Sequence, residues 1–175
     1  MNKEINVWDY AGHIMEKMPK GILLTTAAEG KVNSMVIGWG MLGIEWGKPI
    51  FIAYVRQSRF TKELLDKNGE FTVNVPMEDL NKGVLSVCGT KSGRDMDKLS
   101  QLGLTAVPGQ TVSVPAIAEV PLTLECKVIY KQDQAPDAID AESKARYYAP
   151  GTANEGDYHT VYYGQITQAY IIEEE

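Results

Sequence analysis

The chain has 175 residues, 44% hydrophobic and 23% charged, the balance of an ordinary globular domain with room for one sizeable core. Its formal net charge of −6 argues against nonspecific binding to nucleic acid or an anionic membrane surface. Two cysteines and two histidines, in no metal-module spacing, argue against a zinc site, and no uncharged stretch reaches membrane-spanning length.

The opening "MNKEINVWDYAG" shows no basic segment followed by an apolar one, so the cytoplasm is the expected location and a single domain over 1–175 the expected organisation. Val7, Trp8, Ala11, Ile14, Met15 and Met18 recur at helical spacing until Pro19-Lys20-Gly21 stops the pattern. "ILLTTA" (22–27) and "VNSMVIGW" (32–39), joined by Ala28-Glu29-Gly30-Lys31, read as a hairpin, and "PIFIAYV" (49–55) as a third strand. "NSMVIGWG" is expected to pair with "PIFIAYV". Between them glycines stand at 38, 40, 43 and 47, with Trp39 and Trp46 among them. Glycine in a strand marks a bend, a bulge or a close approach by another body.

"SRFTKELLDKNG" predicts a helix with Ser58 as N-cap, an apolar face of Phe60, Leu64 and Leu65, and Gly69 as the stop. "EFTVNV" (70–75) is a strand. Leu80, Val84, Leu85 and Cys88 suggest a helix within 77–88, then the polar "GTKSGRD" and a short helical "MDKLSQLG". Residues 105–118 read as a surface loop. "PLTLECKVIYKQ" (121–132) is a long strand, "AESKARYY" a helical turn in a long excursion, "YHTVYYGQITQAYII" (158–172) the last strand, and Glu173–Glu175 a solvated tail. Cys88 and Cys126 read as buried apolar residues. Six strands with helices between them predict a mainly β fold, an antiparallel barrel with peripheral α-helices.

The chemistry-bearing motifs are mostly absent. There is no GxxxxGK[ST], no GxGxxG after a strand and no GxSxG; "GTKSG" resembles an anion-binding loop with the wrong spacing. Side chains so poorly equipped for acid–base or nucleophilic work point to a bound cofactor. At the strand-to-helix junction, Ser58, Arg59 and Thr61 combine helix N-terminal N–H groups, hydroxyls and a guanidinium, a set suited to phosphate. An ordinary serine cap with solvated arginines is the other reading of the same residues.

The stretch "NSMVIGWGMLGIEWGKPIFIAYVRQSRFTKELLDKNGEFTVNVP" resembles the signature region of the flavin reductase-like, FMN-binding split-barrel family. "CGTKSGRDMDKLSQLGLT" (88–105) and "HTVYYGQI" (159–166) resemble later blocks of that family, in the same order. The resemblance implies a six-stranded antiparallel split β-barrel of the FMN-binding type, a homodimer, and FMN near the subunit interface; the single candidate phosphate site and the missing dinucleotide fingerprint favour FMN over FAD. By position, Asn33, Ser34, Met35, Val36, Ile37, Gly38 and Trp39 would line the isoalloxazine, and Arg56, Ser58, Arg59 and Thr61 would hold the ribityl phosphate. Cys88, Gly89, Thr90 and Lys91 would approach the phosphate or the ring edge. His159 would lie near the flavin, a candidate catalytic residue, with Tyr162 or Tyr163 beside it. Val36 and Phe60 depart from the threonine and tyrosine often found there.

The implied function is NAD(P)H:flavin oxidoreduction, with hydride passing to flavin N5 and electrons onward. An FMN electron-transfer protein without its own NAD(P)H turnover, working with an electron-acceptor protein, is the alternative. A non-catalytic ligand-binding barrel is a third reading.

Overall fold

The computed structural model describes residues 2–173. Strand β1 (Asn2–Glu4) precedes helix α1 (Ala11–Lys17), which is flanked by 3-10 turns at Val7–Tyr10 and Met18–Lys20. Then follow β2 (Ile22–Ala28), β3 (Lys31–Ile37), β4 (Gly40–Glu45), β5 (Lys48–Arg56), α2 (Phe60–Asn68) and β6 (Glu70–Val75). Helices α3 (Lys82–Thr90) and α4 (Lys98–Leu102) lead to two-residue strands β7 (Ala106–Val107) and β8 (Ala116–Ile117). The chain closes with β9 (Leu122–Asp133), α5 (Ala141–Tyr147) and β10 (His159–Ile172).

The main sheet is antiparallel, in the order β3-β2-β6-β9-β10-β5-β4, with β1 added along β10. All six expected strands are present; β1 and β4 raise the count to eight. The sheet path begins at β3 and ends at β4, and Gly38-Trp39 carries the chain from one end to the other. The expected pairing of "NSMVIGWG" with "PIFIAYV" is corrected: β3 pairs with β2, and β4 is the partner of β5. Glycines at 40 and 43 hid β4 by lowering its strand propensity.

Two-residue turns make both outer hairpins. Glu29-Gly30 has φ of 52° and 76°, and Trp46-Gly47 has φ of 50° and 69°. Positive φ at both central residues matches the right-handed twist of the flanking strands. Trp46 is thus a turn residue, 63% exposed.

Alternate residues of the strands fill the barrel: Ile22, Leu24, Phe51, Val55, Phe71, Val73, Leu124 and Tyr162 are buried together. At Gly164, where β10 slips register against β9, a Cβ would stand 2.4 Å from the Phe71 ring, so the strands close there only because the side chain is missing. A second cluster, Leu23, Val84, Cys88, Leu99, Ile117 and Val120, glues α3 and α4 to the outside of the barrel. The helix expected within 77–88 runs from Lys82, because Asn81 accepts from the Gly83 N–H at 2.8 Å and caps it there.

The 105–118 segment, expected as a loop, forms the β7–β8 pair and is anchored from inside. Glu125, fully buried, accepts from the Gln110 and Thr111 N–H groups at 2.7 and 2.6 Å, from Thr111 Oγ1 at 2.6 Å and from Tyr170 Oη at 2.9 Å. Four donors around one carboxylate explain how a glutamate survives in the core. Of the expected Glu173–Glu175 tail, Glu174 and Glu175 lie outside the described residues.

Candidate functional site

Two cavities adjoin on one side of the barrel and share Met35 and Arg59. One is aromatic. It is bounded by Met35, Val36, Ile37, Gly38 and Trp39 where β3 ends, and by Tyr54, Arg56 and His159 where β5 meets β10. The register His159↔Arg56 sets these two side by side. The excursion between β9 and β10 folds back over the cavity. Tyr147 meets Trp39 edge-on at 4.9 Å, and Tyr148 bonds His159 Nδ1 at 2.7 Å. The Arg56 guanidinium lies 5.3 Å from the Tyr148 ring and 5.9 Å from that of Trp39, and donates to the Asp157 carbonyl at 2.8 Å. Burial, then the nearby Arg56 and Arg59 charges, push His159 down to about 4 against the opposing Asp157, so its imidazole is neutral at pH 7.

The other cavity is basic. It lies at the N-terminus of α2, between Asn33, the run Ser58–Thr61, the loop Thr90–Arg94 and Lys98. The first turn of a helix leaves its N–H groups without intrahelical acceptors and carries positive dipole charge. Among the described residues the protein's ion pairs do not include Arg59, Lys91 or Lys98. Lys98 is only 3% exposed, and its Nζ donates to the Ser34 carbonyl at 3.0 Å. Burial, with Arg59 adding to it, lowers its pKa. Asn33 Nδ2 donates to Thr61 Oγ1 at 2.8 Å, which leaves the Thr61 hydroxyl proton to point elsewhere. Asn33 Oδ1 is buried and has no partner among the described residues. Gly93 makes this approach feasible, since a Cβ there would fall 2.1 Å from Asn33 Oδ1 and 2.9 Å from the Phe60 ring.

Several expected positions move. Asn33 belongs to the basic cavity, while Ser34 turns its hydroxyl to Thr25 at 2.7 Å and contributes only its carbonyl, through Lys98. Arg56 lines the aromatic cavity, away from the helix end, because β5 stops there. Ser58 is not the N-cap of α2; Arg59 is. The Ser58 N–H and Oγ both donate to the Asp157 carboxylate, at 3.0 and 2.6 Å, so Ser58 tethers the excursion even though it borders the basic cavity. Thr90 and Lys91 line that cavity, but the Thr90 hydroxyl donates to the Ser86 carbonyl at 2.8 Å. Cys88 is buried behind it among Leu23, Val84 and Leu99, where desolvation raises its thiol pKa. Gly89 faces Val36. Tyr162 is a barrel-core residue bonded to Asp66 at 2.9 Å, and Tyr163 packs on Tyr130 at 5.0 Å; neither reaches the cavities.

The glycines beside Trp39 have separate reasons. A Cβ at Gly40 would press on Met18 Sδ at 2.8 Å and the Ile52 carbonyl at 2.9 Å; Gly47 serves its turn; Gly43 meets nothing within 4 Å. Of the four, Gly38 alone lines the aromatic cavity, and a Cβ there would sit 3.7 Å from the Met18 carbonyl. Lys98, Gly93, Arg94, Tyr54, Tyr147, Tyr148 and Asp157 were not singled out from sequence. "GTKSGRD" carried a signal for two of them, as an anion-loop pattern.

The antiparallel barrel thus carries an aromatic slot at the end of one strand and a basic pocket at an adjacent helix N-terminus. The flavin reductase like domain model matches residues 15–175, and the chain belongs to that family. It is 33% identical over 111 residues to an uncharacterized protein of Archaeoglobus fulgidus, covering 63% of this chain and 62% of that protein. The chain thus spans less than two thirds of the length of that curated relative. Flavoredoxin from Methanosarcina acetivorans superposes with a TM-score of 0.63 at 27% identity, over 87% of this chain and 68% of that one. A flavin-reductase-class protein from Shewanella frigidimarina with a split barrel domain superposes with a TM-score of 0.64 at 16% identity, over 95% and 75% of the two chains. The fold is therefore the split barrel.

Proposed function

We propose that the protein binds FMN, phosphate in the basic cavity and isoalloxazine in the aromatic one, and acts as an NAD(P)H-dependent flavin reductase. The observation that carries the reading is Arg59, Lys91 and Lys98 standing without carboxylate partners among the described residues, around Thr61 and the orphaned Asn33 Oδ1. The donor set fits the group: a dianion takes the cations and the helix N–H groups, and a ribityl hydroxyl supplies the donor that Asn33 Oδ1 lacks. FMN, when bound, supplies the hydride and electron chemistry. The chain binds and orients. Trp39 and Met35 would flank the ring, Tyr147 and Tyr148 would brace Trp39 and His159 from behind, and His159 stays neutral. Hydride transfer needs aligned faces more than a titrating side chain, which suits this set.

The test is a titration of FMN and riboflavin against the parent protein and Thr61→Val. A charge-assisted hydrogen bond contributes roughly 1.5–3 kcal/mol. Thr61→Val is therefore expected to weaken FMN about tenfold or more, since 1.4 kcal/mol is about one decade, with a much smaller loss for riboflavin, which feels the change only through Asn33. Equal losses for both flavins, or no loss for either, would place the phosphate elsewhere.

The likeness to a flavoredoxin favours a second reading, in which FMN stays bound and electrons arrive from and leave to protein partners. Steady-state NADH or NADPH oxidation with free FMN separates the two: turnover supports the reductase, and its absence with flavin bound supports the carrier.

The proposed working unit is a homodimer. Edge strand β4 and its turn expose Met41 (52%) on one face and Ile44 (72%) on the other, with Trp46 (63%) beside Tyr130 (42%), apolar surface along a sheet edge that no further strand pairs among the described residues. Such an edge is normally covered. Light scattering at low micromolar concentration is expected to give twice the chain mass of 19.3 kDa; the monomer mass would overturn this.

A further inference from the structure

His159 is hydrogen-bonded through a short relay on the excursion between β9 and β10. Its backbone N–H donates to Gln134 Oε1 at 3.0 Å, which fixes the amide with its oxygen on that side. Tyr148 Oη lies 3.1 Å from the same oxygen and 2.7 Å from His159 Nδ1. Tyr148 has one proton to place. Turned toward His159, it would leave two oxygens facing each other across 3.1 Å with no hydrogen between them. Turned toward Gln134, it puts a proton in every contact: His159 Nδ1–H donates to Tyr148 Oη, and Tyr148 Oη–H donates to Gln134 Oε1.

We propose that Tyr148 and Gln134 are positioning residues that hold His159 as its Nδ1–H tautomer. Nε2 is then an unprotonated acceptor in the aromatic cavity, and it receives an N–H from the edge of a bound heterocycle. The groups around the imidazole keep it from taking a second proton. Arg56 and Arg59 stand nearby, and Trp39 and Tyr54 pack on the ring at 5.1 and 6.3 Å. Asp157 is the opposing charge, and its carboxylate is already held by Ser58. The N–H donor is either the imide of a flavin or the carboxamide of a nicotinamide. That half of the proposal rests on the flavin reading above; the tautomer half does not.

The experiment is long-range proton–nitrogen NMR of the histidine rings in uniformly nitrogen-15-labelled protein at pH 7. The chain has two histidines, and His13 is the internal contrast. Its Nε2 sits 2.9 Å from the Pro76 carbonyl, an acceptor, so His13 carries a proton on Nε2. His159 is expected to show the opposite pattern. Tyr148→Phe removes the acceptor for Nδ1–H and is expected to give a mixed tautomer. Gln134→Leu frees the Tyr148 proton to turn to Nδ1 and is expected to switch His159 to Nε2–H, with the His13 signals unmoved. An Nε2–H or doubly protonated His159 in the parent protein, or an unchanged tautomer in both variants, would overturn the relay. FMN is then added, followed by oxidised NAD. A shift of His159 Nε2 on the first addition assigns the flavin imide, and on the second the carboxamide. Flavin bound by its absorbance change, with Nε2 unmoved by either, would overturn the acceptor role. If FMN does not bind at all, the flavin reading fails and the tautomer result stands by itself.

Discussion

Lys98→Met is expected to weaken FMN binding about ten- to hundredfold while leaving riboflavin binding unchanged. The estimate is one charge-assisted hydrogen bond, roughly 1.5–3 kcal/mol, at about 1.4 kcal/mol per decade. Lys98 is the buried cation of the basic cavity, held by the Ser34 carbonyl and by no carboxylate among the described ion pairs. Methionine matches its length and drops the ammonium. The substitution leaves the Ser34 carbonyl without this donor but also removes a buried charge, and these oppose each other. The thermal midpoint of the ligand-free protein is therefore expected to stay within a few degrees, roughly 1 kcal/mol. Calorimetric titration with both flavins reads the binding part. Unchanged FMN affinity would make Lys98 a purely structural lysine, pinning α4 to β3.

Glu125→Leu is expected to destabilise the fold by about 3 kcal/mol or more. Leucine is close to glutamate in size, so packing is not the main loss. The loss is the acceptor for two backbone N–H groups and two hydroxyls, all of which converge on one buried carboxylate. Each donor left unsatisfied costs roughly 1–3 kcal/mol, less whatever water reaches it at the loop side. The effect reaches the site through packing. The anchored segment carries Ile117, which packs with Leu99 on the helix that presents Lys98. Urea unfolding reads the stability change as a lower midpoint at similar slope. A midpoint shift worth less than about 1 kcal/mol would mean that the segment holds itself in place without Glu125.

The six long strands were legible because each is an apolar or alternating run bounded by turn residues. β4 was not, since two glycines thin it and its Met41 and Ile44 face outward, so no buried face marks the period. The helix at 60–68 was legible, but its cap was not. Ser58 has the right chemistry for an N-cap, and its donors are taken by Asp157, 99 residues later. A partner that distant leaves no local trace. Lys98 has the same problem in reverse. In "MDKLSQLG" it reads as the solvated side of a short amphipathic helix, and it is buried because α4 lies across β3. Thr61, Arg59 and the run Met35–Trp39 were placed by the junction and the resemblance, and the structure brings them together. Tyr162 and Tyr163 were misplaced by one consequence of strand geometry. Successive residues face opposite sides, and on β10 neither side at those positions faces the cavities.

The most direct measurement is a crystal structure of the protein with FMN. Phosphate oxygens are expected within hydrogen-bond distance of Thr61 Oγ1 and Lys98 Nζ, a ribityl hydroxyl on Asn33 Oδ1, and the isoalloxazine against Met35–Trp39 with His159 at its edge. A flavin whose phosphate points to solvent or lies elsewhere on the barrel, with Asn33 Oδ1 still unpartnered, would contradict this placement.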